Sequence, residues 1–216
     1  MQVVQETRSL FRLTRFGMIN CFLVMEDDEL TVVDTGLAGS APGIRDAAKS
    51  LGAPISRIVL THAHIDHVGS LDALACEYPQ IEFGVGQRES RLLRKDFSLD
   101  AGETGKKLLG FPGVKLPPTI LLNDGDRIGS LQAIFSPGHT PGHVAFLDVR
   151  DGSLIAGDSF TTHTGVLAAG TFKLLFPFPA LFSWNKDVAA ESARKLRNFK
   201  PARLAVGHGK TIEAPL

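Results

Sequence analysis

With 216 residues, 44% hydrophobic and 21% charged, the chain has the composition of a globular protein large enough to bury a substantial core. Lysine plus arginine equals aspartate plus glutamate at 23 each, so no net field draws it to nucleic acid or to an anionic membrane. Two cysteines exclude a disulfide framework, and no apolar stretch is long enough to span a bilayer.

The N-terminus does not read as a secretion signal. Arg8, Arg12 and Arg15 punctuate it, and its longest apolar run, Met18 to Met25, is interrupted by Asn20. A cytoplasmic location is therefore expected. Cys21 and Cys76 both fall in segments that read as buried, one a strand and one a helix face, as packing thiols in a reducing compartment would. No repeat, low-complexity tract or composition boundary divides residues 1–216, so one domain is expected.

Residues 8 to 35 read as antiparallel strands, LFRLTR, INCFLVME and LTVVDTG. Asp34 closes the last of them beside Gly36, either as a turn residue or as a carboxylate that orients a ligand histidine. Ala41 to Leu51 reads as a helix, with Ser40 as its cap, Pro42 in the first turn and Gly52 ending it. A strand over 57–61 then delivers the densest polar cluster of the chain, Thr61 to His67, THAHIDH. Helical spacing follows, at Val68, Leu71, Leu74, Ala75 and Tyr78.

Three histidines and an aspartate in six residues have a chemical reading. His62 and His64, two apart on an extended segment, point the same way, while Asp66 and His67 fall where a helix begins and holds them rigidly. Imidazole nitrogens and a carboxylate packed this closely suit a zinc-like cation or a pair of them. A single solvated histidine would carry no such weight.

IEFGVG is a short strand, and Gln87 to Asp96 a helix whose Arg88, Arg91, Arg94 and Lys95 form a solvated face or an anchor for an acidic substrate tail. Ser98 to Thr119, rich in glycine and proline, is a surface excursion that borders a cleft. Strands resume at Ile120 to Leu122, Asp126 to Ile128 and Leu131 to Phe135, the last ending in SPGHTPGH. Two Pro-Gly pairs flank His139 and fix its side chain, as befits a ligand. His143 fits a hydrogen-bonding partner of the ligands better than a ligand. VAFLDV and Ser153 to Ala156 are strands, and Gly157-Asp158 sets a carboxylate just past the second. Residues 166–184 are unusually apolar, with Phe172, Phe176, Phe178, Phe182 and Trp184, and Pro177 and Pro179 argue against one long helix. This segment reads as core, as a homodimer interface, or as an apolar wall of a substrate pocket. His163, just upstream, is placed to face the pocket, but no neighbouring residue in the sequence supports a ligand role for it. Asn185 to Phe199 is the last helix, and ARLAVGHG puts His208 on a glycine-flanked loop after a short strand.

In order, the chain presents VVDTG at 32–36, THAHIDH at 61–67, GHTPGH at 138–143, GD at 157–158 and GHG at 207–209. Over nearly its whole length it resembles the metallo-beta-lactamase superfamily, in the hydrolase branch similar to glyoxalase II and the lactonases. The resemblance implies an α/β fold, an αββα four-layer sandwich with the metal site at one edge. It also implies a ligand set: His62, His64 and His139 for one divalent ion, Asp66, His67 and His208 for the other, and Asp158 bridging. Two zinc ions are the expected cofactors, with iron or manganese as alternatives. A hydroxide between the ions would attack an ester, lactone or thioester carbonyl, and Asp66 would orient the nucleophile or take its proton.

Departures from relatives narrow the substrate. Antibiotic-degrading members are usually exported and generally lack the bridging aspartate, so Asp158 counts against a lactamase. Glyoxalase II proper adds a C-terminal helical domain that holds glutathione, and only eight residues follow His208, which counts against a glutathione thioester. Well-studied acyl-homoserine lactonases carry a tyrosine three residues after the bridging aspartate, where this chain has Thr161. A small-molecule ester or lactone with an apolar acyl part is the expected substrate. The alternative is an oxidoreductase resembling mononuclear iron persulfide dioxygenases, which use only part of this ligand set; a non-catalytic scaffold would lose ligands.

Overall fold

The computed structural model describes residues 1–174 and 177–215; within the apolar 166–184 segment, Phe176 and the side chain of Phe178 lie outside the described residues. Four strands, β1 (Gln2–Gln5), β2 (Leu10–Arg15), β3 (Ile19–Met25) and β4 (Leu30–Val33), form an antiparallel meander. Helix α1 (Ala41–Leu51) crosses over to β5 (Ile55–Leu60), parallel to β4. Helices α2 (Ile65–Val68) and α3 (Leu71–Glu77) lead to β6 (Glu82–Gly86), and α4 (Gln87–Leu93) with the long excursion leads to β7 (Ile120–Leu122), both again parallel. These seven strands lie side by side in chain order.

A second sheet begins with β8 (Arg127–Ile128), β9 (Leu131–Phe135), β10 (Val144–Asp148) and β11 (Ser153–Ile155). The chain then leaves it for a small hairpin, β12 (Phe160–Thr161) and β13 (Leu167–Ala168), and for helices α5 (Phe178–Phe182) and α6 (Lys186–Asn198). It returns as β14 (Arg203–Ala205), parallel to β11, and β15 (Ile212–Glu213), giving the order β15-β14-β11-β10-β9-β8.

The two-residue period of a strand explains the layering. Val33 and Val59 face the second sheet and pack with Ala133, Val144, Phe146 and Ile155, while their neighbours Val32, Ile58 and Leu60 face Ile44, Leu71 and Leu92 of the helices. Ile134, Ala145 and Leu154 of the second sheet pack outward on Leu196 of α6. Helix, sheet, sheet and helix thus stack as expected, and strands buried on both faces carry continuous apolar runs. Truncating Phe146, fully buried between the sheets, to alanine is expected to cost about 3–5 kcal/mol.

Four sequence readings change. The helical spacing over 68–78 belongs to two helices, with Gly69 and Ser70 between them, and Gly69 sits so close to the backbone of Leu37 and Ala38 that a Cβ there would overlap it. Ser40 does not cap α1; the Ser70 hydroxyl takes the N–H groups of Ser40 and Ala41 instead, at 2.8 and 3.2 Å. Cys21 is buried but Cys76 is exposed, since the short α3 turns Leu71 and Leu74 to the core and leaves Cys76 on the opposite side. The basic run divides: Arg88 pairs with Glu103 at 2.8 Å and Arg91 with Asp100 at 2.5 Å, tying the excursion down, while Arg94 and Lys95 are exposed as a solvated face would be. Among the described residues no helix is long and apolar enough to cross a membrane.

Candidate metal centre

Five strand ends meet at one edge of the sandwich. Asp34 follows β4, Thr61 to His67 follow β5, Ser136 to His143 join β9 to β10, Asp158 follows β11 and His208 follows β14. All seven residues predicted from the sequence as ligands converge there. One donor atom from each of His62, His64 and His139 lies within 4.8 Å of the others; so do those of Asp66, His67 and His208, and those of His62, His67 and Asp158.

Asp158 touches both groups. Its Oδ1 is 3.4 Å from His67 Nε2, and its Oδ2 is 3.5 Å from His139 Nε2 and 3.2 Å from His208 Nε2. His64 Nδ1 faces His139 Nε2 at 2.9 Å, a contact that needs either a shared proton or a shared cation. His208 Nε2 reaches Asp66 Oδ2 at 3.2 Å. The glycine before His208 is required: a Cβ on Gly207 would strike Asp158 Oδ1 and the His67 ring.

Hydrogen bonds on the far side of each ring orient these donors. Asp34 adopts φ 61°, a left-handed conformation uncommon outside glycine, and thereby turns its carboxylate inward. Asp34 Oδ2 accepts from the Thr61 hydroxyl at 2.7 Å and from His67 Nδ1 at 2.8 Å, and Oδ1 accepts from the Thr61 N–H at 2.8 Å. Of the two sequence readings of Asp34, turn residue and histidine partner, the structure realises the second and assigns no turn there. With its proton committed to Asp34, the Thr61 hydroxyl accepts from His62 Nδ1 at 3.0 Å, which leaves the His62 Nε2 lone pair facing inward. His208 Nδ1 donates to the Met18 carbonyl at 3.1 Å.

His143 occupies a different place. Its Nε2 accepts from the Asp158 N–H at 3.1 Å and its Nδ1 meets the Ser136 hydroxyl at 2.9 Å. Both ring nitrogens are engaged, so it positions Asp158 rather than joining the donor groups. His163 lies after β12, in neither group.

The two groups differ electrically. Burial holds His62 and His139 well below the usual imidazole range and His64 down to about 4, so their lone pairs are free. In the second group burial works the same way but is outweighed. Asp158, Asp34 and Asp66 hold His67 well above its ordinary value, and Asp158 with Asp66 holds His208 up to about 10. Burial would raise both carboxyls, yet the adjacent imidazolium charges keep Asp66 and Asp158 well below the usual carboxylate range.

The donor set fits divalent cations by its own chemistry. His62 Nε2 is buried with no hydrogen-bond partner, and His67 Nε2 and Asp158 Oδ1 are buried facing each other at 3.4 Å without forming a hydrogen bond; leaving one such group unmet costs about 1–3 kcal/mol. All three point into the same space, where a cation would satisfy them together. Nitrogen and carboxylate oxygen donors suit zinc, iron or manganese.

Beside the donors is a cavity of about 270 Å³, walled by Met18, Ile19, Ile65, Phe160 and Phe182 and floored by His64, His139, Asp158 and His208. No lysine or arginine lines it among the described residues. Gly110 of the excursion reaches it, its carbonyl accepting from the Ile65 N–H at 2.9 Å, and Phe111 lies 4.6 Å from the His64 ring. Within the apolar 166–184 segment, Trp184 is buried and Phe182 forms a pocket wall, whereas Phe172 and Leu174 are exposed. Thr161 also lines the cavity, but its hydroxyl donates to the His208 carbonyl at 2.8 Å.

Comparison with known proteins agrees with this geometry. The chain is 45% identical over 217 residues to the uncharacterized protein YobT of Bacillus subtilis, spanning 98% of this chain and 93% of that one. It is 30% identical over 191 residues to a hydroxyacylglutathione hydrolase of Synechocystis, covering 86% of this chain and 61% of the relative. Its fold matches that of TTHA1623, solved in a di-iron-bound form, with a TM-score of 0.70, 24% identity and coverage of 93% and 92%. The family model described as the metallo-beta-lactamase superfamily matches residues 14–208, and the chain belongs to that superfamily.

Proposed function

We propose that this superfamily member is a dinuclear metal-dependent hydrolase that cleaves an ester, lactone or thioester bearing a small apolar acyl part. The observation that carries the reading is the pair of donor groups that Asp158 touches from between, through His139 on one side and His67 and His208 on the other, with the donor atoms of His62, His67 and Asp158 buried close together. A relative 28% identical over 210 residues, covering 87% of this chain and 78% of its own length, is a probable metallo-hydrolase, YflN of Bacillus subtilis. Hydrolysis at an acyl centre is the chemistry this donor set serves.

His62, His64 and His139 would hold one ion, Asp66, His67 and His208 the other, and Asp158 would bridge. Bound divalent ions supply Lewis acidity to a carbonyl oxygen and lower the pKa of water toward about 7. The remaining work falls to the chain. Asp66 borders the cavity with its Oδ2 toward His208, placed to orient an attacking water and take its proton. Thr61 and Asp34 hold the donor faces of His62 and His67 inward. Ile19, Phe160 and Phe182 exclude water from the acyl part.

The cavity supports the substrate class. It is small, apolar and free of cationic side chains among the described residues, so it lacks the groups that would bind a phosphate or a multiply charged acyl carrier. Thr161, committed to the His208 carbonyl, does not stand in for the tyrosine of the acyl-homoserine lactonases. The test is elemental analysis of protein purified without added metal, paired with lactones, thioesters, aryl esters and a cephalosporin. Near two zinc or manganese ions per chain, with turnover of lactones or esters, is expected. One iron per chain with oxygen consumption on a persulfide would overturn the reading in favour of a dioxygenase.

A further inference from the structure

Glu89, on α4, is fully buried yet belongs to neither donor group. Its Oε1 accepts from the Ala63 N–H at 2.8 Å. Its Oε2 accepts from the Thr140 hydroxyl at 2.8 Å and from the Gly142 N–H at 3.0 Å. Ala63 stands between His62 and His64; Thr140 follows His139; Gly142 precedes His143, whose ring accepts from the Asp158 N–H. One carboxylate therefore joins a loop of the first sheet to a loop of the second, at the residues adjoining their histidines.

We propose that Glu89 is a positioning residue that fixes the separation of these two loops, and thereby the spacing of the His62, His64 and His139 donors for a metal ion. The inference rests on the reading that these donors hold metal. Ionised, a carboxylate suits the task because it accepts at both ends and donates at neither, and the three groups that meet it here are donors. Glutamine in its place would set an NH₂ group against the Ala63 N–H or the Gly142 N–H, so one loop would lose its backbone tie. Stability alone is a poor account of a buried carboxylate, whose desolvation offsets much of what its hydrogen bonds contribute.

The test is cobalt(II) binding to metal-stripped wild type, Glu89→Gln and Thr140→Val, against a competing chelator. It is read by the visible absorption of the bound ion and by the fluorescence of the single tryptophan, Trp184, whose backbone N–H donates to the His139 carbonyl at 2.9 Å. Thermal midpoints of the stripped proteins are measured alongside. Glu89→Gln is expected to weaken one of two bound ions by roughly 10- to 100-fold and to change its absorption, the scale on which groups behind the ligands act. Thr140→Val, which removes one of the three donors and keeps the carboxylate, is expected to shift both readouts in the same direction by less. If Glu89→Gln does not fold, Thr140→Val decides on the same criterion. Wild-type affinity and absorption in the folded variants, whatever their thermal midpoints, would overturn this inference alone. Failure of the wild-type chain to bind cobalt would overturn the metal reading, and this inference with it.

Discussion

The two donor groups lie side by side and share a carboxylate, yet they are built on opposite electrical plans. His62, His64 and His139 are stripped of charge by burial, whereas His67 and His208 sit among Asp34, Asp66 and Asp158 and hold protons firmly. The first group offers a cation three ready lone pairs. The second offers carboxylate charge, and a cation entering it must displace protons. The contrast sets a group of neutral nitrogen donors beside a charged one, with Asp158 in contact with both.

Removing that common contact should have the largest effect. Asp158→Ala is expected to loosen both ions and to lower kcat/KM by roughly three orders of magnitude, about 4 kcal/mol of lost stabilisation at the reacting centre. His139→Ala and Asp66→Ala should each empty one group only. Elemental analysis would show about half the wild-type metal content, with hydrolysis abolished and circular dichroism unchanged. Full activity in Asp66→Ala or His139→Ala would refute the assignment of both groups to one mechanism.

A smaller effect should discriminate between the groups. Asp34 touches His67 directly and His62 only through Thr61, so Asp34→Asn should weaken the second ion by roughly 10- to 100-fold and the first by much less. Metal titration monitored at two stoichiometries checks this. Equal weakening of both ions would mean that Thr61 transmits as much as the direct contact does.

Much of this centre was legible in the sequence because its donors follow strand ends, where a chemically specific residue stands out against an apolar run. THAHIDH and GHTPGH are of this kind, and the chain brings together every residue that they and the Gly-Asp and Gly-His-Gly loops nominated. The strands were legible for the same reason, although β1, β15 and the 160–168 hairpin were too short or too polar to register. Glu89 was not legible. It lies between Arg88 and Ser90 on a helix that reads as a charged surface, and nothing local records that its side chain turns inward to meet Ala63, Thr140 and Gly142. Cys76 failed in the opposite way, since it stands in an apolar helical segment and yet lies on the face of α3 opposite Leu71 and Leu74, which turn to the core. Contacts between distant loops have no sequence period, so residues that serve them stay hidden until the fold is known.

The smallest expected signal is also the most direct reading of the electrical contrast. In metal-stripped protein the buried neutral histidines have folded values below 6.5, with His64 at about 4 and His143 at about 3, so between those values and 6.5 the unfolded chain binds more protons and stability rises with pH. Glu89, pushed by burial up to about 7, works the other way over pH 4.5–7, but it is one proton against those of His62, His64, His139 and His143. Above 6.5 the sign reverses. His67 and His208 remain protonated in the folded chain after the unfolded chain has released those protons, and His208 does so up to about 10. Asp66 and Asp158 are ionised in both states throughout that range and contribute no slope. The thermal midpoint of the stripped protein should therefore peak near pH 6.5 and fall toward pH 9, and His208→Ala should lessen the alkaline fall while leaving the acid limb in place. Saturating zinc should also remove the alkaline fall, because the cation then occupies the positions those protons held. A midpoint that climbs steadily from pH 6.5 to 9 in stripped wild-type protein would show that His67 and His208 do not hold their protons, and the distinction between the two groups would then rest on geometry alone.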